Sequence, residues 1–263
     1  MRADKYFSDK FGSRTKAAEA LEKGLVLVNG KKLRAKDDVK ETDDITFVKA
    51  DEYFVSNGGY KLSRALKSFD FDCNGLIFAD IGASTGGFTD CLLQNGAKKV
   101  YAVDVGESLL HDSLKRDNRV VLMENTNARY LSKSDFEEEP DGVTADVSFI
   151  SLRLILPVIA DTVKENGVAF VLLKPQFECE KKHIGKSGIV HPSAHADIVK
   201  KVYGYCLASG MLPFGIVNAP IRKGKNIEYV LYLKKSNTGA KTLENILEEV
   251  KNFVRHNSTG ELK

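Results

Sequence analysis

The sequence contains no tryptophan and only six prolines in 263 residues. Its four cysteines, Cys73, Cys91, Cys179 and Cys206, stand far apart, and none belongs to a C-x-x-C pair. That spacing argues against a disulfide framework and against a cysteine-built zinc site. The longest purely apolar run, Val168 to Leu173, is far too short to span a bilayer. The opening Met1-Arg2-Ala3-Asp4-Lys5 lacks the apolar stretch of a secretory signal. A reduced cytoplasmic setting is the expectation.

Charge is plentiful but nearly balanced, at a formal net +3, which by itself does not imply a nucleic-acid partner. Its placement is more telling. Residues 1–36 carry ten Lys/Arg against four Asp/Glu, and residues 37–52 carry two against seven. A basic module followed by an acidic strip predicts a one-sided electrostatic footprint. Within that module, Ser13 is the expected N-cap of a helix whose buried stripe is Ala17, Ala18, Ala20 and Leu21, closed by Gly24. Leu25-Val26-Leu27-Val28 then runs as a strand into Asn29-Gly30, a strong hairpin signal, and a second strand is expected over Asp44 to Val48. Residues 1–50 thus read as a small α+β domain and 51–58 as a linker.

From residue 59 to 235 short apolar strands alternate with amphipathic helices, the pattern of a mostly parallel Rossmann-like sheet covered on both faces. The expected strands are Leu76–Ile81, Lys99–Val103, Val120–Met123, Val143–Asp146, Val168–Leu173, Phe214–Asn218 and Glu228–Leu233. Helices are expected near Tyr60–Ser68, Gly87–Asn95, Leu109–Lys115, Leu152–Lys164 and Ala194–Ser209. The remaining residues, 236–263, form an extension expected to be helical from its apolar spacing at Leu243, Ile246, Leu247, Val250, Phe253 and Val254.

The first of these strands carries Asp80 and runs into Gly82-Ala83-Ser84-Thr85-Gly86-Gly87-Phe88 at a helix start. Small residues there admit a ligand close to the backbone, at the sheet edge where such folds bind ligands. A dinucleotide fingerprint would need glycine at position 84, where the chain has Ser84. The next strand ends in Asp104, at a spacing suited to ribose hydroxyls. An adenosine-bearing ligand without a pyrophosphate, such as S-adenosylmethionine, satisfies both. Charged residues recur at the same edge: Lys61 at a helix start, Asp146 and Lys174 at strand ends, and Glu228 after the basic loop Arg222-Lys223-Gly224-Lys225. A lysine straight after six apolar residues is costly to bury unless paired.

With these residues in view, the chain resembles the FtsJ-like ribose 2′-O-methyltransferases, which share a Lys-Asp-Lys-Glu tetrad in this order. It resembles more narrowly the TlyA family, in which an RNA-binding module of the ribosomal protein S-four type precedes that domain. The resemblance rests on Arg2-Ala3-Asp4-Lys5-Tyr6, Ser13-Arg14 and Gly24 to Gly30 in the module. In the larger domain it rests on Asp80 to Asp90, Lys174-Pro175-Gln176-Phe177-Glu178 and Gly185-Lys186-Ser187-Gly188-Ile189-Val190. It implies methylation of a cytidine ribose in ribosomal RNA by S-adenosylmethionine, with Lys61, Asp146, Lys174 and Glu228 as the catalytic set. Whether Lys174 takes the hydroxyl proton or only orients the hydroxyl stays open. Cofactor contacts are expected from Asp80, Gly82 to Phe88, Asp104 and Asp146, and RNA phosphate contacts from Arg2, Lys5, Arg14, Lys16, Lys31 and Lys32. No metal is expected in the reaction.

Other readings start from the same residues. A nicotinamide oxidoreductase is disfavoured by Ser84 and by the strand-end lysines. A base methyltransferase acting on exocyclic amines would carry D/N-P-P-Y/F, whereas the nearest segment reads Asp146-Val147-Ser148-Phe149. Cys179, as a carbon-methylation nucleophile, reads better as an incidental thiol. Some relatives bear an older haemolysin label, which makes a membrane-active or RNA-binding protein with a non-catalytic fold the alternative. No residue pattern here supports pore formation.

Overall fold

In the computed structural model residues 1–47, 53–221 and 224–258 are described, and the chain divides into two units, Met1–Val55 and Ser56–Lys263. Val48, at the end of one expected strand, and Arg222 and Lys223 of the basic loop lie outside the described residues.

The first unit begins with two single-turn helices, α1 (Ala3–Tyr6) and α2 (Ser8–Phe11), followed by α3 (Arg14–Lys23). Ser13 caps α3 by accepting the N–H of Lys16 at 3.2 Å, and Gly24 ends it in the left-handed conformation. Ala17, Ala20 and Leu21 are buried with Phe7, Phe11, Val26 and Val28. Ala18, expected in that stripe, is only half-buried and lines a surface cavity with Glu22 and Leu33. Strand β1 (Val26–Val28) turns through Asn29 and Gly30, both at positive φ, into β2 (Lys31–Lys32). On its other side β1 pairs with β3 (Ile45–Phe47), in the order β2-β1-β3. The sequence reading foresaw β1 and β3 but named no strand between them. Two consecutive lysines show no alternation, although a two-residue Asn-Gly turn demands a partner strand directly after it.

The second unit opens with α4 (Asn57–Ser68), which begins inside the stretch expected to be a linker. Glycine is a poor helix former, so Gly58-Gly59 read as loop. Here the close approach of α4 to the next helix rests on Gly87, where a Cβ would lie 2.9 Å from the Gly59 nitrogen and 3.0 Å from the Gly58 Cα. Strand β4 (Ile77–Ile81) leads to α5 (Gly87–Gln94), then β5 (Lys99–Val103), the single turn α6 (Asp112–Lys115) and β6 (Val120–Met123). Helix α6 is shorter than expected because the His111 side chain accepts the Ser113 N–H and so caps the helix there. Then come β7 (Gly142–Ala145), α7 (Leu152–Thr162), β8 (Val168–Leu173), α8 (His195–Ser209), β9 (Met211–Asn218), β10 (Tyr229–Lys235) and α9 (Leu243–Ser258).

The sheet order is β6-β5-β4-β7-β8-β10-β9. Strands β4 to β8 pair in parallel, and β10 runs antiparallel to both β8 and β9. Every residue of β4, β7 and β8 is buried, as the apolar runs predict. Leu152, Ile155 and Ile159 of α7, Ile198 and Val202 of α8 and Ile246 and Val250 of α9 belong to one core cluster with Ile81, Val171 and Leu231. An aromatic stack packs elsewhere on the sheet: the rings of Phe170 and Tyr232 lie 5.0 Å apart and nearly parallel, with Phe69 5.1 Å from Tyr232. Chain reversal after β4, β5, β6, β7 and β8 leaves five strand ends on one edge of the sheet.

Candidate active site

The loop leaving β4 is shaped by its own backbone. Gly82, Ser84 and Gly86 all take positive φ, and the N–H groups of Gly82 and Ala83 both donate to the Val103 carbonyl, at 2.9 and 3.0 Å. A Cβ on Gly82 would stand 3.0 Å from the Asp146 carbonyl oxygen, so this glycine lets two strand-end loops close on each other. Asp104 ties the loop from the far side. Its Oδ2 accepts the Ser84 N–H and its Oδ1 the Gly106 N–H, both at 2.8 Å, leaving lone pairs for a ligand.

Asp80 corrects an expectation. It is fully buried and lines neither of the two cavities at this edge. Its Oδ2 accepts both the N–H (2.9 Å) and the hydroxyl (2.7 Å) of Thr89, and its Oδ1 accepts the hydroxyl of Thr144 at 2.8 Å. Burial, with the charge of Asp146 adding to it, pushes its pKa up to about 6 against those hydrogen bonds. Asp80 therefore fastens α5 beneath the loop. Gly86 also turns away: a Cβ there would collide with Leu114 and Leu110, at 2.2 and 2.7 Å.

A cavity of about 510 Å³ lies beyond the loop, walled by Val103, Val105, Leu109 and Ile155, with Asp104, Asn127 and Arg129 supplying polar groups. A second, of about 230 Å³, is lined by Ser56, Lys61, Ala83, Thr85, Gly87, Phe88 and Lys174. Gly82, Ser84, Asp146 and Ser148 line both. The larger has the size of a small-molecule site, with apolar walls for a flat base and a carboxylate placed for ribose hydroxyls. These residues fit the nucleoside half of S-adenosylmethionine.

Of the four charged residues singled out in the sequence, Lys61, Asp146 and Lys174 line the smaller cavity, and Glu228 joins them through its ion pair with Lys61. Lys61, on the first turns of α4, lies 2.8 Å from Glu228 Oε2 and 3.4 Å from Asp146 Oδ2. Lys174, at the end of β8, donates to Asp146 Oδ1 at 2.6 Å and to Ser148 Oγ at 2.7 Å. Two ammonium groups thus share two carboxylates, which is how charge can be retained in a poorly hydrated site. Lys174 is 8% exposed, whereas the Lys61, Asp146 and Glu228 side chains are each about one-fifth exposed.

Three neighbours were not legible in the sequence. Ser148 was read only as part of a failed base-methylation motif. Phe149 takes φ 62, is 91% exposed and packs against Phe177, with ring centroids 5.1 Å apart. Glu178 is buried, accepts the Leu152 N–H (2.6 Å) and the Ser151 hydroxyl (2.8 Å), and so joins the loop after β8 to the start of α7. Cys179 is half-buried with its thiol pushed up by burial, which disfavours the nucleophilic thiolate.

In the first unit, Arg2 and Arg14 both reach Asp4, at 3.1 and 2.9 Å, while remaining more than half exposed. Lys5 and Lys31 are exposed. Lys32 is exposed but lays its stem across Gly24, where a Cβ would lie 3.2 Å from Cε. Lys16 departs from the expected role: it is half-buried and its ammonium is committed to the Val55 carbonyl.

No helix among the described residues is long and apolar enough to cross a membrane. The FtsJ-like methyltransferase family model matches residues 54–235, and the S4 domain model matches residues 1–45. The chain is 38% identical over 226 residues to the 16S/23S rRNA (cytidine-2′-O)-methyltransferase TlyA of Mycobacterium tuberculosis, covering 84% of each chain. It is 40% identical over 238 residues to Hemolysin A of Brachyspira hyodysenteriae, covering 88% of this chain and 99% of that one. A solved structure from Streptococcus thermophilus that also carries the hemolysin name superposes with a TM-score of 0.72 at 36% identity, covering 98% of both chains.

Proposed function

The chain belongs to the FtsJ-like methyltransferase family, and from that premise we propose that it transfers a methyl group from S-adenosylmethionine to the ribose 2′-hydroxyl of a cytidine in ribosomal RNA. The observation that carries the proposal is Lys174, buried and held by Asp146 and Ser148 in a cavity that opens onto the glycine-rich loop. When bound, the cofactor supplies an electrophilic methyl on a sulfonium. Asp104 and the apolar wall of the larger cavity hold its nucleoside, and Gly82 to Thr85 line its path to Lys174. A ribose hydroxyl is a poor nucleophile, so the site must position it and help it shed its proton. Lys174 does this from a water-poor setting, while Lys61 and Glu228 fix Asp146 and so the lysine it binds. The exposed ring of Phe149, backed by Phe177, offers a face on which a nucleobase can stack.

Residues 1–50 serve as the RNA-binding module, with Arg2, Lys5, Arg14 and Lys31 making sequence-independent phosphate contacts. Residues 59–235 carry the chemistry, and the extension 236–263 contributes α9 to the core. The ribosomal substrate places the protein in the cytoplasm. Mass spectrometry of ribosomal RNA from cells with and without the gene tests the reading. The expected result is the loss of a ribose methyl; loss of a base methyl, or no change, overturns it.

A further inference from the structure

We propose that Ser148 is a positioning residue for methyl transfer: with Asp146 it fixes the Lys174 amine so that the third tetrahedral direction of its nitrogen points at the ribose hydroxyl. The inference rests on the ribose-methylation reading above. Besides its carbon a lysine nitrogen has three tetrahedral directions, two of which are N–H donors even in the neutral amine. Among the described residues Lys174 gives one to Asp146 at 2.6 Å and one to Ser148 at 2.7 Å. With two directions occupied, tetrahedral nitrogen geometry sets the third. Asp146 alone could not do this, because a lysine on one anchor still swivels about it. Asp146 is also divided between two amines, Oδ1 facing Lys174 and Oδ2 facing Lys61. Ser148 supplies a second anchor without adding charge, and it lies on the wall of both cavities, where donor and acceptor of the methyl group must meet. The Lys174 side chain is only 9% exposed, so little water is available to take over an acceptor role.

A purely structural part for the hydroxyl is disfavoured by how the rest of its loop is held. At one end the Asp146 N–H donates to the Ile81 carbonyl at 3.0 Å, and Gly82 packs beneath the Asp146 carbonyl. At the other, Glu178 grips Ser151 and Leu152. Neither anchor uses the Ser148 side chain. Removing Oγ should therefore leave the loop in place and free only the amine. A misplacement of about 1 Å in a reacting group can cost on the order of a hundredfold in rate.

The test uses the full chain, S-adenosylmethionine and ribosomal RNA from cells lacking the gene, with ribose methylation read by mass spectrometry and cofactor binding by calorimetry. Ser148→Ala should lower kcat about ten- to a hundredfold, with the KM for RNA and the Kd for cofactor unchanged. Ser148→Thr, which keeps the hydroxyl, should recover most of that loss. The inference is overturned if Ser148→Ala turns over at the wild-type rate, if its loss lies in KM or Kd, or if Ser148→Thr is equally slow. A wild-type chain that forms no ribose methyl removes the functional reading itself, an outcome separate from any difference between variants.

Discussion

The two units handle positive charge in opposite ways. In the larger unit the lysines proposed to act are drawn inward and paired with carboxylates that arrive from distant parts of the chain: Lys61 with Glu228, and Lys174 with Asp146. In the smaller one, Arg2 and Arg14 flank a single nearby aspartate and keep more than half their side-chain surface in water. Buried pairs hold a charged atom in one place. Exposed charges attract a polyanion from any approach and are screened by salt. On the proposed reading, chemistry and capture use the same residue types at different degrees of burial.

Perturbing the buried side should give the larger effects. Lys174→Ala is expected to reduce methylation about a hundred- to ten-thousandfold while calorimetry shows cofactor affinity intact; near-normal turnover would break the contrast. Asp104→Ala, which frees the Ser84 and Gly106 amides, should weaken cofactor binding about ten- to a hundredfold with the circular dichroism spectrum retained. Asp80→Asn probes burial without touching the site. The Asp80 pKa rises from the ordinary 3.8 to about 6, so the native protein holds this proton more tightly than the unfolded chain. Its contribution to stability is therefore present below about pH 4 and is lost as pH rises through 6. Asparagine can still accept from Thr89 and can donate to the Thr144 hydroxyl. The variant should melt higher than wild type at pH 7, by about 1–3 kcal/mol, and the gap should close toward pH 4. A gap that widens toward pH 4 would show the carboxylate to be ionised and stabilising. On the exposed side, Arg2→Ala with Arg14→Ala should lower RNA affinity about tenfold in low salt and flatten the salt dependence by about two phosphate contacts. Methylation at saturating RNA should be unaffected.

Much of this contrast was legible in the sequence, and the exceptions share a cause. The runs in β4, β5 and β8 are mostly apolar, with Asp80 and Lys99 the charged exceptions, so their ends, and with them Asp104 and Lys174, could be placed by counting. The tetrad was gathered by order and strand context, which the sheet then brought within 3.4 Å. What escaped was burial of polar groups. Asp80 looked like a ligand contact because it sits beside the loop, yet pairing with Thr89 and Thr144 puts it underneath. Glu178 was named only within a motif shared with the family, with no sign that it is buried. Lys16 looked free and is bonded to a main-chain carbonyl. Partners far along the chain decide each of these, and no local pattern encodes them. The left-handed Phe149 is a further case, since a bulky aromatic residue seldom adopts positive φ.

The reversed direction of β10 also bears on how the protein is made. Because this strand runs against its neighbours, Glu228 reaches the ligand edge from the strand's beginning, whereas Asp146 and Lys174 reach it from strand ends. During synthesis Lys61 leaves the ribosome early, and its carboxylate partner follows only after nearly all of the sheet has been translated. A nascent or prematurely terminated chain that stops before Glu228 holds three of the four charges and no complete site. On the proposed ribose-methylation reading, a chain cut short of Glu228 is expected to be inactive.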